Sequence, residues 1–275
     1  MKQFKTAPLP FMGQKRGFIK AFSRALDEYP KNAIYVDLFG GSGLLSHTVK
    51  RKYPNASVVY NDFDNYRRRL ENVPKTNLLI AKLRTLTKHL ERKKKIPSYD
   101  RIKILKVIEA FEQKHGFVDY ITISGCLLFS MNYVESFEKL KAQTLYNRVR
   151  LSNYNADEYL DGLDIVCEDY KRLFHRYKNM TNVVFLIDPP YLSTEVGTYK
   201  NYWKLTDYLD VLDTLSNTSY FYFTSNKSNI VELCEWIEKK SKSASPFNGA
   251  VIQETTNHMN YNSKYTDIMI YKKMD

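Results

Sequence analysis

Cysteine is scarce in this chain: Cys126, Cys167 and Cys234 are its whole complement, odd in number and far apart. That spacing excludes a disulfide framework and a zinc site of the usual kind, and the three are expected as reduced core thiols of a cytosolic protein. Long apolar runs are missing too. No stretch approaches the ~18 residues of a membrane span, and Met1-Lys2-Gln3-Phe4-Lys5 is followed by no apolar core of signal-peptide length. A cytoplasmic protein with no membrane partner is the expectation. There is no G-x-x-x-x-G-K-[ST] loop, so a nucleoside-triphosphatase is a poor reading, and neither an internal repeat nor a low-complexity tract is visible. Acidic residues are outnumbered, with 30 Asp and Glu against 42 Lys and Arg, a formal +12. Such an excess favours a polyanionic partner, nucleic acid or an acidic membrane surface, although a merely soluble basic protein shares it. At 275 residues and 43% hydrophobic, the chain can form one large α/β domain or a domain carrying an insertion.

What is present centres on residues 183–191, Val-Val-Phe-Leu-Ile-Asp-Pro-Pro-Tyr. Five apolar residues without a polar break suit a strand buried on both faces of a parallel sheet. Pro189 and Pro190 must end it, because they supply no N–H to a ladder. Asp188 then stands at the carboxyl end of a central strand, where open α/β sheets place their ligands, with Tyr191 at the rim. An acceptor, a rigid turn with free carbonyls and an aromatic face could grip a planar group bearing an exocyclic amine. A strand-ending Asp-Pro turn beside a core Tyr is the plainer alternative.

The rest of the chain alternates around this segment. The prolines of 8–10 predict an extended start, then an amphipathic helix to about Leu26. Ile34 to Phe39 predicts a strand, Gly40-Gly41-Ser42-Gly43 a tight turn, Leu44 to about Tyr53 a helix, and Ser57 to Tyr60 a second strand ending on Asn61-Asp62. A strand, glycine turn, helix and strand ending in an acid make a mononucleotide-binding half. After residue 160 the alternation resumes. Strands are predicted at Leu163–Cys167, 183–187 and 219–224, helices to about Tyr177, near Leu205–Leu215 and over Asn229–Lys240, and a closing strand pair at Ala250–Thr255 and Asp267–Tyr271.

Between these halves the pattern is different. Residues 64–114 predict long charged helices with breaks at Pro74, Pro97 and Gly116, and hold 15 Lys or Arg against 6 Asp or Glu. Three quarters of the net charge thus sits in one window, densest at Arg67-Arg68-Arg69 and Arg92-Lys93-Lys94-Lys95. Such runs usually make a solvated helix face; their concentration favours a phosphate-facing surface. Further on, Tyr146, Asn147, Arg148, Arg150, Asn153, Tyr154 and Asn155 crowd together. Arg and Asn can make paired bonds to a base edge, and they also fill ordinary loops.

Taken in order, Pro10-Phe11-Met12-Gly13-Gln14-Lys15-Arg16, Asp37-x-Phe39-x-Gly41-x-Gly43, Asn61-Asp62 and Asp188-Pro189-Pro190-Tyr191 resemble an amino-methylating DNA methyltransferase of the Dam-like D12 class, which acts on adenine N6. The likeness covers residues 8–65 and about 163–272. It implies a Rossmann-like methyltransferase sheet formed by 1–65 and 161–275, with a mainly helical target-recognition domain inserted at 66–160. S-adenosylmethionine is the implied cofactor and S-adenosylhomocysteine the product, with no metal. Carried over residue by residue, Phe39, Gly41 and Gly43 line the methionine end and Lys15 reaches its carboxylate. Phe11 touches the cofactor, Asp37 binds its amino group, and Asp62 its ribose hydroxyls. Asp169 either approaches the cofactor adenine or caps the helix that follows it. Two departures stand out: Phe11 and Gln14 replace the Trp and second glycine more usual ahead of the lysine, which puts the backbone path at Gln14 in question. The 70–160 region shows no GATC-type recognition motif.

The same resemblance implies double-stranded DNA as partner, and the charge pattern makes Arg92, Lys93, Lys94, Lys95, Arg148 and Arg150 its candidate contacts. A cognate restriction endonuclease is a candidate partner, and the expected protein is a bacterial or phage-encoded monomer or weak dimer. A base inside a duplex must be flipped out before it can react. Asp188 and the Pro189 carbonyl would accept the two N–H groups of its amine while Pro190 fixes the turn and Tyr191 stacks on the ring. The competing readings are an N4-cytosine methyltransferase, an enzyme acting on glutamine or RNA, and a non-catalytic DNA-binding protein with a relict cofactor pocket.

Overall fold

The computed structural model describes residues 4–129, 132–190, 204–226, 228–241, 245–260 and 263–274. Among them are seven strands: β1 (Ile34–Asp37), β2 (Ser57–Asn61), β3 (Asp164–Val166), β4 (Val183–Ile187), β5 (Ser219–Ser225), β6 (Val251–Asn260) and β7 (Ser263–Lys272). The helices are α1 (Ile19–Ala25), α2 (Leu44–Lys52), α3 (Tyr66–Glu71), α4 (Val73–Thr87), α5 (Ser98–His115), α6 (Tyr120–Leu127), α7 (Phe137–Lys141), α8 (Tyr170–Tyr177), α9 (Leu205–Asp213) and α10 (Ile230–Ser241).

The strands form one sheet in the order β3-β2-β1-β4-β5-β7-β6. β1 pairs in parallel with both β2 and β4, whereas β7 runs antiparallel between β5 and β6. Strand order therefore reverses at β1, which puts the carboxyl ends of β1, β2 and β4 at the point where such sheets hold their ligands. The central strands alternate between two buried layers. Tyr35, Val58, Leu186 and Phe223 face Phe18, Phe22 and Val49. Val36, Val59, Phe185 and Ile187 face Leu173, Tyr208, Leu212 and Cys234 on the other side. The unbroken apolar run of 183–187 is thus buried on both faces.

A second core lies within the charged middle of the chain. Leu79, Ile80 and Leu83 of α4 pack with Ile104, Ile108 and Phe111 of α5 and with Ile123 and Leu127 of α6. The expected breaks sit at helix ends. Pro74 occupies the first turn of α4, where its missing N–H costs nothing. Pro97 precedes α5, and Gly116 ends it at φ 67. Among the described residues no helix is long and apolar enough to cross a membrane. Cys126 and Cys234 are buried, but Cys167 is exposed at the end of β3, contrary to the core role expected of all three.

Candidate active site at the carboxyl ends of β1, β2 and β4

Register brings three carboxylates together. Asp37 pairs with Leu186 on one side and Tyr60 on the other, so Asp62 and Asp188 each stand two residues beyond a partner of Asp37. Asp62 and Asp188 thus emerge at one level just past the strands that flank β1, with Asp37 two residues deeper between them.

Asp37 is fully buried. Its Oδ2 accepts a 2.6 Å bond from the Ser46 hydroxyl of α2, and its Oδ1 has no hydrogen-bond partner among the described residues. Burial pushes its pKa up to about 7; the Ser46 hydroxyl pulls the other way and the neighbouring Asp188 adds to the rise. An orphaned carboxylate oxygen is costly in a protein interior, and an ammonium group would complete it. This oxygen is the feature that fits the methionine end of S-adenosylmethionine.

The turn after β1 explains its glycines. Gly41 and Gly43 adopt φ 49 and φ 71, in the left-handed region that side chains avoid. A Cβ on Gly41 would meet the Phe11 ring at 3.1 Å, so Phe11 lies directly on the loop. Phe39 packs on Tyr170 with centroids 4.8 Å apart. The tightest position, however, is Gly40, absent from the sequence-based candidates. A Cβ there would lie 2.3 Å from two Tyr60 ring carbons and 2.8 Å from the Asn61 carbonyl. Tyr60 cannot withdraw, being buried with its one hydroxyl proton shared between the Gly41 carbonyl (2.8 Å) and Asp62 (3.0 Å). Gly40→Ala should therefore cost at least about 2 kcal/mol in urea unfolding, against about 1 kcal/mol for Gly116→Ala, where only left-handed strain opposes the methyl group. Equal losses would show that the loop yields.

Asp188 follows β4 with its side chain 18% exposed. Its Oδ2 lies 2.7 Å from Lys15 Nζ, which also donates to the Gly13 carbonyl at 2.7 Å. Burial raises the Asp188 pKa, while the Lys15 ammonium opposes the rise. Lys15, expected on a cofactor carboxylate, is thus placed on the Asp-Pro-Pro-Tyr acid. Gly13 takes φ 76, whereas Gln14 is not among the residues with positive φ and accepts a bond from the Ala7 N–H at 3.1 Å. One glycine is enough for this turn, which explains how Gln14 stands where a second is more usual. Tyr191 lies outside the described residues.

Two of the expected cofactor acids are engaged with helix ends. Asp62 accepts from the N–H groups of Tyr66 (2.6 Å) and Arg67 (3.0 Å) at the start of α3 as well as from Tyr60. A carboxylate has about four acceptor positions, so one remains for a hydroxyl. Asp169 caps α8, accepting from Lys171 N (3.0 Å) and Arg172 N (3.3 Å); of its two readings, the cap is the one this geometry contains. Asn61, unremarked in the sequence apart from its place beside Asp62, latches the loops together. Its amide donates to the carbonyls of Leu38 and Glu168 and accepts from Glu168 N–H.

The basic candidates converge in a way spacing did not reveal. Lys95 bridges Tyr146 in antiparallel fashion, and Lys93 N–H donates to the Asn147 carbonyl, Asn147 N–H to that of Lys94. Arg92, Lys93, Lys94 and Lys95 are exposed on this ribbon beside Arg148 and Arg150. Asn147 itself is buried, donating to the Leu90 carbonyl at 2.9 Å, and is removed from the base-reading candidates. Arg69 is also buried, so the 67–69 run is no continuous phosphate-facing surface.

This sheet order, with a glycine turn and three carboxylates at its reversal point, defines a Rossmann-like methyltransferase. Residues 11–219 match the family described as D12 class N6 adenine-specific DNA methyltransferase, and the chain belongs to it. Among its relatives is a "Putative methyltransferase" of Haemophilus influenzae, 36% identical over 283 residues, 98% of this chain and 93% of that protein. Two solved structures are more distant. A SAM-dependent methyltransferase from Agrobacterium tumefaciens aligns over 99% of this chain and 72% of its own, with 12% identity and a TM-score of 0.42. A precorrin-6y C5,15-methyltransferase from Geobacter metallireducens aligns over 96% and 94%, with 9% identity and a TM-score of 0.34. Likeness at that level carries no weight beside the strand order.

Proposed function

We propose that residues 1–65 and 161–275 methylate the N6 amine of an adenine flipped out of double-stranded DNA, and that residues 66–160 engage that DNA. The observation that carries this reading is Asp188, held just past the carboxyl end of β4 and close enough to Asp37, with its orphaned oxygen, to raise that group's pKa. S-adenosylmethionine supplies an electrophilic methyl group on a sulfonium, for which the protein needs only to position the acceptor.

The adenine amine is a poor nucleophile because its lone pair is delocalised into the ring. Asp188 and the Pro189 carbonyl accept its two N–H groups, favouring a tetrahedral nitrogen with a free lone pair and stabilising its developing positive charge. Lys15 helps keep Asp188 ionised against burial. Asp37 holds the methionine ammonium, Asp62 a ribose hydroxyl, and Phe11, Phe39, Gly41 and Gly43 shape the walls. Pro190 fixes the turn, and Tyr191 replaces stacking that the flipped base has lost. The reading places the enzyme in the cytoplasm of a bacterium or of a phage host, as a monomer or weak dimer, with a cognate restriction endonuclease as a candidate partner.

Incubation with labelled cofactor and mixed DNA, then digestion to nucleosides, should put label in N6-methyladenine. Label in cytosine alone would make it an N4 enzyme; none on DNA would refute the reading. The basic ribbon has its own test. Each displaced phosphate contact contributes about −0.9 to the slope of log affinity against log salt on duplex DNA. Replacing Lys93, Lys94 and Lys95 together by Ala should flatten that slope by roughly 1 to 3. An unchanged slope would make the run a solvated face.

A further inference from the structure

Three arginines in a row have three different fates. Arg67 pairs with Glu71 at the surface and Arg68 lies over the Phe117 ring, 5.2 Å from its centroid. Arg69 turns inward. Its Nε is shared between Asp119 Oδ1 and Oδ2 at 3.1 Å each, and its Nη2 donates to the Pro10 carbonyl (2.8 Å) and the Thr122 hydroxyl (3.3 Å). One guanidinium thus ties α3 to the segment before the glycine loop and to the first turn of the inserted helix α6.

Both partners continue into sites already described. Pro10 precedes Phe11, whose ring lies on Gly41 and meets Tyr66 edge-on at 5.6 Å. The Tyr66 hydroxyl is held by both the N–H and the carbonyl of Leu9 at 3.0 Å, and its own N–H caps onto Asp62. On the other side Asp119 is the N-cap of α6, accepting from Thr122 N–H. The far end of α6 holds the basic ribbon: the Leu127 carbonyl accepts from Tyr146 N–H, that of Cys126 from Arg148 N–H, and that of Leu128 from the Arg148 guanidinium. A rod of eight residues, about 12 Å long at 1.5 Å per residue, therefore has the phosphate-facing ribbon at one end and the cofactor loop's brace at the other.

Building on the function proposed above, we infer that Arg69 is a positioning residue through which DNA binding at the ribbon and cofactor binding at the glycine loop strengthen each other. A buried ion pair is weak support for stability, because desolvation consumes most of its attraction. A planar, always charged donor with several fixed N–H directions is suited to setting an angle between segments. When DNA orders the ribbon, α6 and Asp119 are ordered with it. Arg69 then holds Pro10 and Phe11 where the loop needs them. The same bonds act in reverse when the loop is filled, since coupling between two binding sites is reciprocal.

The test is a binding cycle. S-adenosylhomocysteine affinity is measured with and without sheared genomic duplex DNA at low salt, and DNA affinity with and without S-adenosylhomocysteine. In the wild type the two ratios should agree at about tenfold, within the usual span of such couplings. Arg69→Lys keeps the charge but loses the directed fork, and should bring the ratio near one while each separate affinity shifts much less. Arg67→Lys should leave it unchanged. If Arg69→Lys folds poorly, Asp119→Asn replaces it, because Asn can still cap α6. A ratio that survives in these variants, or both affinities falling in step, would make the brace merely structural and overturn the proposal. Wild-type protein that binds both ligands independently overturns the coupling alone; protein that binds neither overturns the methyltransferase reading itself.

Discussion

Asp188→Asn should lower methyl transfer to DNA by about a hundredfold to a thousandfold while duplex affinity changes little. That is the loss seen when one preorganised polar partner of a developing charge is removed. The substitution keeps the size of the side chain and one acceptor oxygen, and removes the negative charge facing the amine that becomes positive. Asp188→Ala should abolish transfer, with a second consequence. Lys15, 5% exposed, would lose this ion pair, and breaking a buried pair from one side costs about 3–5 kcal/mol. Single-turnover transfer under saturating cofactor separates the chemical loss from a folding loss. Turnover retained at the wild-type rate in folded Asp188→Asn would remove Asp188 from catalysis.

Cofactor affinity should rise with pH through about 7 because of Asp37, and the reason is the sign of its shift. Burial favours the neutral carboxyl in the free protein. Stability from this group is therefore full at pH below its unfolded value and is lost as pH rises through the folded value of about 7. An ammonium placed against Oδ1 reverses the preference, since it binds the ionised form. The melting-temperature gain from S-adenosylhomocysteine should accordingly grow between pH 6 and 8, as the free protein weakens and the complex does not. Asp37→Asn should lose about 1.5–3 kcal/mol of ligand binding, the worth of a hydrogen bond to a charged group, and should lose this pH dependence as well. The ligand's own titration is common to both proteins, so the difference between them reports Asp37. Wild-type and variant curves that run parallel would show that the orphaned oxygen faces something other than the amino group.

Much of the scaffold was readable in one dimension because its rules are local. An apolar run ended by two prolines can be little but a buried strand at 183–187, and a glycine turn between strand and helix can be little but a close approach of backbone to ligand. Period and breaker residues placed the paired strands after 250, the start of α4 and both ends of α5. The carboxylates of the site were nameable for the same reason, each being the last acid of a strand.

What local pattern cannot carry is who faces whom. Arg67, Arg68 and Arg69 are identical in type and adjacent in sequence, and only the packing of α3 against Pro10 and Asp119 makes one of them a buried brace. Lys95 and Tyr146 are 51 residues apart, so their bridge, and with it the joining of two basic stretches into one ribbon, needed the fold. Gly40 matters because the Tyr60 ring occupies the space a methyl group would need, a clash between two strands' ends that no glycine count reveals. Lys15 sits on Asp188 and Asp169 on its own helix because hydrogen-bonding groups leaving water must find partners within reach, and reach is a property of three dimensions. The one-dimensional chain thus determined the strands, their acid termini and the family; the folded one decided which charges face a ligand and which hold the protein together.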